Sequence, residues 1–136
     1  MILKQLTVFV ENRTGYLSEI TELLAQNSID MQALSIADTK DFGILRLIVD
    51  DAEKALKVLN EHGILGKITQ VIGITLSNKP GTLSKALSAL AENDVNVEYL
   101  YAFLAGNPDS AHVVIKATDN DKALKILTEK GYNSIN

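Results

Sequence analysis

The tetrads Asn12-Arg13-Thr14-Gly15 and Asn78-Lys79-Pro80-Gly81 are the residues of this chain best suited to chemistry with a small charged ligand. Each comes after an apolar alternating run and precedes a helix whose first large apolar residue, Leu17 or Leu83, lies two positions after the glycine. A loop closing onto a helix start presents unpaired backbone N–H groups and the positive end of the helix dipole, which suits a carboxylate. Glycine lets a ligand approach the backbone closely. Arg13 and Lys79 can neutralise the same carboxylate, although a solvated loop charge is the simpler reading of both. The loops also have a plain structural account, since asparagine before a helix is a common cap and Pro-Gly a common turn.

The tetrads belong to a duplication. The offset 81 − 15 = 66 also relates Leu17 to Leu83, Ser18 to Ser84, Leu24 to Leu90, Asn27 to Asn93 and Leu34 to Leu100. Past residue 40 the offset becomes 68, relating Asp51 to Asp119, Ala55 to Ala123, Leu59 to Leu127 and Gly63 to Gly131, so the second copy carries two extra residues near 104–110. Such a period is too long for one layer of a solenoid and fits a small domain. The expected boundaries are 1–70 and 71–136. A domain of roughly 60 residues buries only about 60% of its unfolded surface, so the copies are expected to gain by sharing an interface.

The elements that position the loops are set by pattern. Leu6 to Val10 reads as a buried strand, and Leu17, Ile20, Leu23 and Leu24 share one face of a helix that stops at Asn27-Ser28. Met31 to Ala37 and Ile44 to Val49 read as strands around a polar connection, Asp38 to Gly43. Asp51 is a candidate N-cap for a helix striped by Ala52, Ala55, Leu56 and Leu59, which ends at Gly63. A strand over Lys67 to Val71 then runs directly into Ile72 to Leu76. The second copy repeats the order: helix Leu83 to Glu92, strands Val95 to Phe103 and Ala111 to Ala117, helix Asp119 to Glu129 and a short tail. The predicted fold class is α+β, two tandem ferredoxin-like βαββαβ units, each an antiparallel four-stranded sheet with two helices on one face. Leu45, Leu47 and Val49 are expected to face the helices. The row Val97, Tyr99, Tyr101 and Phe103 is expected on the opposite face, as an interface in preference to an aromatic-ligand platform.

Composition excludes several classes. A net charge of −4 in 136 residues lacks the basic stripe of a nucleic-acid footprint, and RNA binding by a fold of this topology ranks last. With no cysteine there is neither a disulfide framework nor a thiolate metal site. His62 and His112 stand apart from carboxylate clusters, and Asp50-Asp51 and Asp119-Asn120-Asp121 sit where helix caps belong, so no metal or cofactor is expected. No signal segment or membrane span is legible, and a cytoplasmic chain is expected. No nucleophile elbow or phosphate loop argues for an enzyme.

A βαββαβ unit with an apolar strand, Asn-x-x-Gly-x-Leu, a helix and a second strand opening at Asp30-Met31 or Asn96-Val97 resembles the ACT domain. The resemblance covers nearly the whole chain, twice, entering through Val8 to Leu17 in one copy and Ile74 to Leu83 in the other. It implies a non-catalytic regulatory module that senses a small molecule, typically an amino acid, where paired domains meet. In that setting Asp30 and Asn96 are candidates to receive the ammonium, with Met31 and Val97 beside them. Tyr16 and Thr82, just past the glycines, either touch the ligand side chain or form an exposed first helical turn. The second loop keeps the Pro-Gly pair frequent in the family and is therefore expected to be the stronger site. The implied partners are an amino acid, a second copy in a homodimer, and a metabolic enzyme or regulator. The competing reading is a ligand-independent protein-interaction subunit.

Overall fold

The computed structural model describes residues 2–38 and 41–135. In chain order the elements are β1 (Ile2–Glu11), α1 (Tyr16–Gln26), β2 (Met31–Asp38), β3 (Phe42–Val49), α2 (Ala52–Glu61), β4 (Gly66–Ser77), α3 (Thr82–Glu92), β5 (Val97–Leu104), β6 (Ser110–Ala117), α4 (Asn120–Glu129) and β7 (Asn133–Ser134). The two strands expected over Lys67 to Leu76 are one continuous β4, and the short tail contributes β7. The connection expected over Asp38 to Gly43 includes Thr39 and Lys40, which lie outside the described residues; β3 itself begins at Phe42.

The chain divides into two compact units, Lys4–Thr69 and Gln70–Asn136 together with Met1–Leu3. The division falls inside β4, whose opening residues complete the first unit and whose remainder begins the second. Strand order is β2-β3-β1-β4 in the first unit and β5-β6-β4-β7 in the second, the same order under the duplication. β3 lies antiparallel between β1 and β2, and β6 antiparallel between β4 and β5. The fold is the expected α+β arrangement of two ferredoxin-like units.

Each unit has its own core on the helix side of its sheet. In the first, Leu6, Val8, Leu45, Leu47 and Val49 meet Tyr16, Ile20, Leu24, Ala55 and Leu59. In the second, Ile72, Ile74, Val113, Ile115 and Ala117 meet Ala86, Leu90, Ala123 and Leu127. The apolar stripe of α1 is met at Tyr16, Ile20 and Leu24, four residues apart, while Leu17 at the edge of the stripe stays 40% exposed.

Helix ends repeat with the sequence. Asp51 and Asp119 cap α2 and α4, their carboxylates accepting from Lys54 N at 3.1 Å and Lys122 N at 3.0 Å. At the ends of α1 and α3 the left-handed residue is Ser28 or Asp94, one position past the asparagine. Asn27 and Asn93 instead turn their amides back onto the carbonyls of Leu23 and Ala89, at 2.9 and 2.8 Å.

A bulge is duplicated as well. The register of β2 shifts between Met31 and Ala33, and that of β5 between Val97 and Tyr99. An extra residue on one strand reverses the alternation of side chains beyond it. Tyr99, Tyr101 and Phe103 therefore pair with Lys116, Val114 and His112 on the face away from the helices, whereas Val97 pairs with Ala117 and packs against the core. The expected four-residue row is a three-residue row.

Gly73 illustrates how tightly the second unit closes. A Cβ there would come within 2.6 Å of Leu3 Cδ1 and 2.8 Å of Ile135 Cδ1, while the Ile135 N–H donates to the Gly73 carbonyl at 3.2 Å. Gly73→Val is expected to cost about 1–3 kcal/mol by overpacking. A lowered urea midpoint together with faster exchange of the Ile135 amide would show it; an unchanged midpoint would mean that the two side-chain ends simply swing aside.

Candidate functional site

The two loops share one backbone. Gly15 and Gly81 are the N-cap residues of α1 and α3, with φ of 85° and 89° and no side-chain cap on either helix. The N–H of Arg13 bonds to the Glu11 carbonyl at 2.9 Å and that of Lys79 to the Ser77 carbonyl at 2.9 Å; Glu19 and Lys85 close onto Gly15 and Gly81 in the same way. Such left-handed dihedrals strain any side-chain-bearing residue, which accounts for glycine at both positions. The ordinary-cap account of Asn12 and Asn78 fails here, because neither asparagine caps its helix. The first turns of α1 and α3 keep N–H groups that no side chain occupies.

Around this shared backbone the side chains diverge. In the first loop Arg13 donates from Nε to Glu11 at 3.1 Å and from Nη2 to Glu19 at 3.2 Å, and its Cζ lies 4.4 Å above the Tyr16 ring. Hydrogen bonding to Glu11, and less strongly to Glu19, raises the guanidinium further above its ordinary value. Arg13 is thus a pinned cation, not a freely solvated one. The pairs are surface-exposed, so their value is orientation more than stability. Tyr16 is buried in the core and does not form an exposed first turn. With Tyr16 holding that position, Leu17 turns outward.

In the second loop Thr82 stands for Tyr16 and bonds its hydroxyl to the carbonyls of Ser77 at 2.7 Å and Lys79 at 3.0 Å. Leu83 packs against the core. Asn78 is held twice by the β5–β6 connection, donating from its backbone to Asp109 O at 2.8 Å and from Nδ2 to Pro108 O at 3.0 Å. That connection spans 105–109, five residues against three for 39–41, which are the two extra residues of the second copy. Pro80 and Lys79 are exposed beside it. Among the described residues the Asn12 side chain makes no equivalent hydrogen bond.

A cavity of about 110 Å³ opens beside the first loop. Val10, Glu11, Asn12, Arg13 and Leu17 line one side and Ile36, Asp38, Phe42 and Gly43 the other. Pairing of β1, β3 and β2 brings these together: Glu11 lies opposite Phe42, Val10 opposite Gly43, and Gly43 opposite Asp38. Of the residues expected at the first site, Asn12, Arg13 and Leu17 line the cavity. Thr14 and Gly15 are exposed in the turn beside them.

Asp30, Met31, Asn96 and Val97 lie at the end of the sheet opposite the loop of their own unit. The Asp30 backbone exchanges bonds with Asp50 at 3.1 and 3.2 Å, and the Asn96 carbonyl accepts from Thr118 N at 3.0 Å, clipping together the opposite end of each sheet. Seven strand steps separate Phe42 from Val49, about 24 Å at roughly 3.4 Å per residue. The bulge turns Met31 and Val97 inward, where they pack against the cores. Val10, Glu11, Ile36, Asp38, Phe42 and Gly43 were not anticipated as cavity residues. Their only sequence signal is the polar Asp38 to Gly43 connection.

Among the described residues no group of three or more histidine, aspartate or glutamate side chains is placed to hold a metal ion, and no helix is long and apolar enough to cross a membrane. Two βαββαβ units with glycine-capped loops define a tandem regulatory-type fold, and the sequence matches the family described as ACT domain pair over residues 1–136. The chain belongs to that family. Among solved structures, protein BT0572 from Bacteroides thetaiotaomicron is 44% identical, with a TM-score of 0.94 over 99% of this chain and 92% of that one. The ligand-free regulatory subunit of aspartate kinase from Thermus thermophilus shares the fold at 18% identity, TM-score 0.67, over 94% and 92% of the two chains. The aspartokinase alpha and beta subunits do so at 17% identity, TM-score 0.60, over 94% and 95%. No protein of curated function matches the sequence.

Proposed function

We propose that this chain is a non-catalytic regulatory module that binds an amino acid at an ACT loop and, in doing so, changes its association with itself or with a partner enzyme. The observation that carries the reading is the first loop: a pinned Arg13, in the turn before an uncapped helix start, and Asp38 line one small cavity. A zwitterion needs donors for its carboxylate and an acceptor for its ammonium, and both kinds of group border this cavity. A regulatory subunit of aspartate kinase among the structural neighbours offers a parallel for such a module acting on a separate enzyme.

Thermal denaturation with each of the twenty amino acids tests the reading. A ligand at about 100 times its dissociation constant adds roughly 2.7 kcal/mol of stability, so one or a few amino acids are expected to raise Tm clearly. No shift with any of them would favour the second reading, a ligand-independent interaction subunit.

That second reading draws on edge strand β2, where Leu34 and Ile36 are 57% and 42% exposed on the helix side. Apolar side chains so exposed on an edge strand favour self-association. A dimer is expected at micromolar concentration, and Leu34→Lys is expected to shift it toward monomer in sedimentation equilibrium. A monomeric parent chain would remove homodimerisation from both readings.

A further inference from the structure

We infer that the second unit carries a separate site for a small phosphorylated molecule, in the groove between α3 and the end of α4. The groove has a volume of about 360 Å³ and is lined by Ser84, Lys85, Ser88 and Ala89 of α3 and by Lys130 and Tyr132, which follow α4. Spaced three and four apart, the α3 residues share one helical face. Among the described residues, the ammonium groups of Lys85 and Lys130 and the hydroxyls of Ser84, Ser88 and Tyr132 have no hydrogen-bond or ion-pair partner.

The duplication shows that this set of groups is particular to the second unit. In the first, the same places hold Ser18, Glu19, Glu22, Leu23, His62 and Ile64. Leu23 and Ile64 pack on the first core, where the second unit has the smaller Ala89 and a half-buried Tyr132. Two acids and a histidine have become Lys85, Ser88 and Lys130, so the local charge changes sign within a chain whose net charge is −4. Lys85 lies in the first turn of α3, where the helix dipole favours an acid and disfavours a cation. Glu19, its counterpart in α1, has the favourable sign and binds Arg13 at 3.2 Å. A cation suits the end of α4, but His62 in the matching place turns its ring to the Val58 carbonyl at 2.9 Å, a bond that Lys130 does not replace. The fold therefore explains neither ammonium group.

A phosphate monoester carries nearly two negative charges at neutral pH and three acceptor oxygens, matching two lysines flanked by hydroxyls. A single carboxylate leaves one lysine uncompensated. Ala89 and the Tyr132 ring offer apolar surface to the carbon skeleton of the ester. Glu92, one turn beyond Ser88, is an acceptor for a hydroxyl or amine of the ligand and repels a second acidic group.

Calorimetric titration of the full chain with adenosine monophosphate, glycerol phosphate, inorganic phosphate and acetate tests this. At least one of the two esters is expected to bind about tenfold or more tightly than inorganic phosphate or acetate, with an affinity that falls as sodium chloride is raised. Lys85→Glu restores the residue of the first unit; it is expected to abolish ester binding while holding or raising the urea midpoint, because an acid returns to the first turn. Lys130→Ala is expected to weaken ester binding about tenfold or more, and Lys57→Glu, on an exposed face of the first unit, to leave it unchanged. No ester binding at millimolar concentration, inorganic phosphate binding as tightly as either ester, or full affinity in Lys85→Glu would overturn the proposal. Binding of polyglutamate with none of the esters would overturn it too, in favour of an acidic protein partner. Thermal shifts with amino acids are expected to be the same in Lys85→Glu as in the parent chain, so this site and the amino-acid reading fail or stand separately.

Discussion

Gly15→Val is expected to cost about 1–3 kcal/mol of stability and to abolish ligand binding, whereas Gly81→Val costs the same stability and leaves binding unchanged. The equal stability cost reflects nearly equal dihedrals, φ of 85° and 89°, at two positions where an added Cβ meets nothing within 4 Å. The whole penalty is therefore backbone strain, largest for a β-branched residue in the left-handed region. The unequal binding is expected from the surroundings, since Gly15 lies in the turn between Arg13 and Leu17, which line an open cavity, and the second loop is tied to Pro108 and Asp109. Gly15→Asn makes the comparison safer, because asparagine tolerates these dihedrals. It is expected to keep the fold and still weaken binding about tenfold or more, by placing a side chain where the ligand approaches the backbone. Urea denaturation and titration of the three variants read both quantities. Equal loss of binding at Gly15 and Gly81 would mean that both loops serve.

Leu59→Ala and Leu127→Ala are expected to be the most destabilising single changes considered, at about 2–5 kcal/mol each. Both leucines are completely buried, and each occupies the same place in its unit. Each also lends its carbonyl to the turn that ends its helix, accepting from Ile64 N in one case and Tyr132 N in the other, at 3.0 Å. Those bonds are made by the backbone and survive truncation, so the loss reports packing alone. Against a total stability of about 5–15 kcal/mol, either change is a large fraction. Equilibrium urea unfolding measures it. A cost under about 1 kcal/mol in one variant would show that its unit collapses around the missing side chain.

The duplication and its punctuation were legible in the sequence because they are local. The offset from Asp51 to Asp119 marks two N-caps that form as expected, and the offset from Gly15 to Gly81 marks two glycines with one backbone conformation. The open-face aromatic row was legible except at Val97, because a bulge leaves alternation intact on either side while reversing it across the bulge. The choice between Tyr16 and Leu17 for the core was not legible, since both lie at the margins of the same helical stripe and the depth of the neighbouring sheet decides between them. Half the cavity was also hidden. Ile36, Asp38 and Phe42 join Asn12 through strand register, a pairing that no spacing along the chain encodes. For the same reason Pro-Gly is visible in sequence and the grip of Pro108 on Asn78 is not.

The five-residue connection before β6 carries an evolutionary consequence. Doubling the length of a flexible loop costs only about 0.6 kcal/mol, so lengthening one from three residues to five costs a few tenths. After a duplication, one of two inherited loops can thus be retired by addition at almost no expense to folding, with every helix and strand left in place. Trimming two residues between Leu104 and Ser110 would release Asn78 from Pro108 and Asp109 by the same small change in loop entropy.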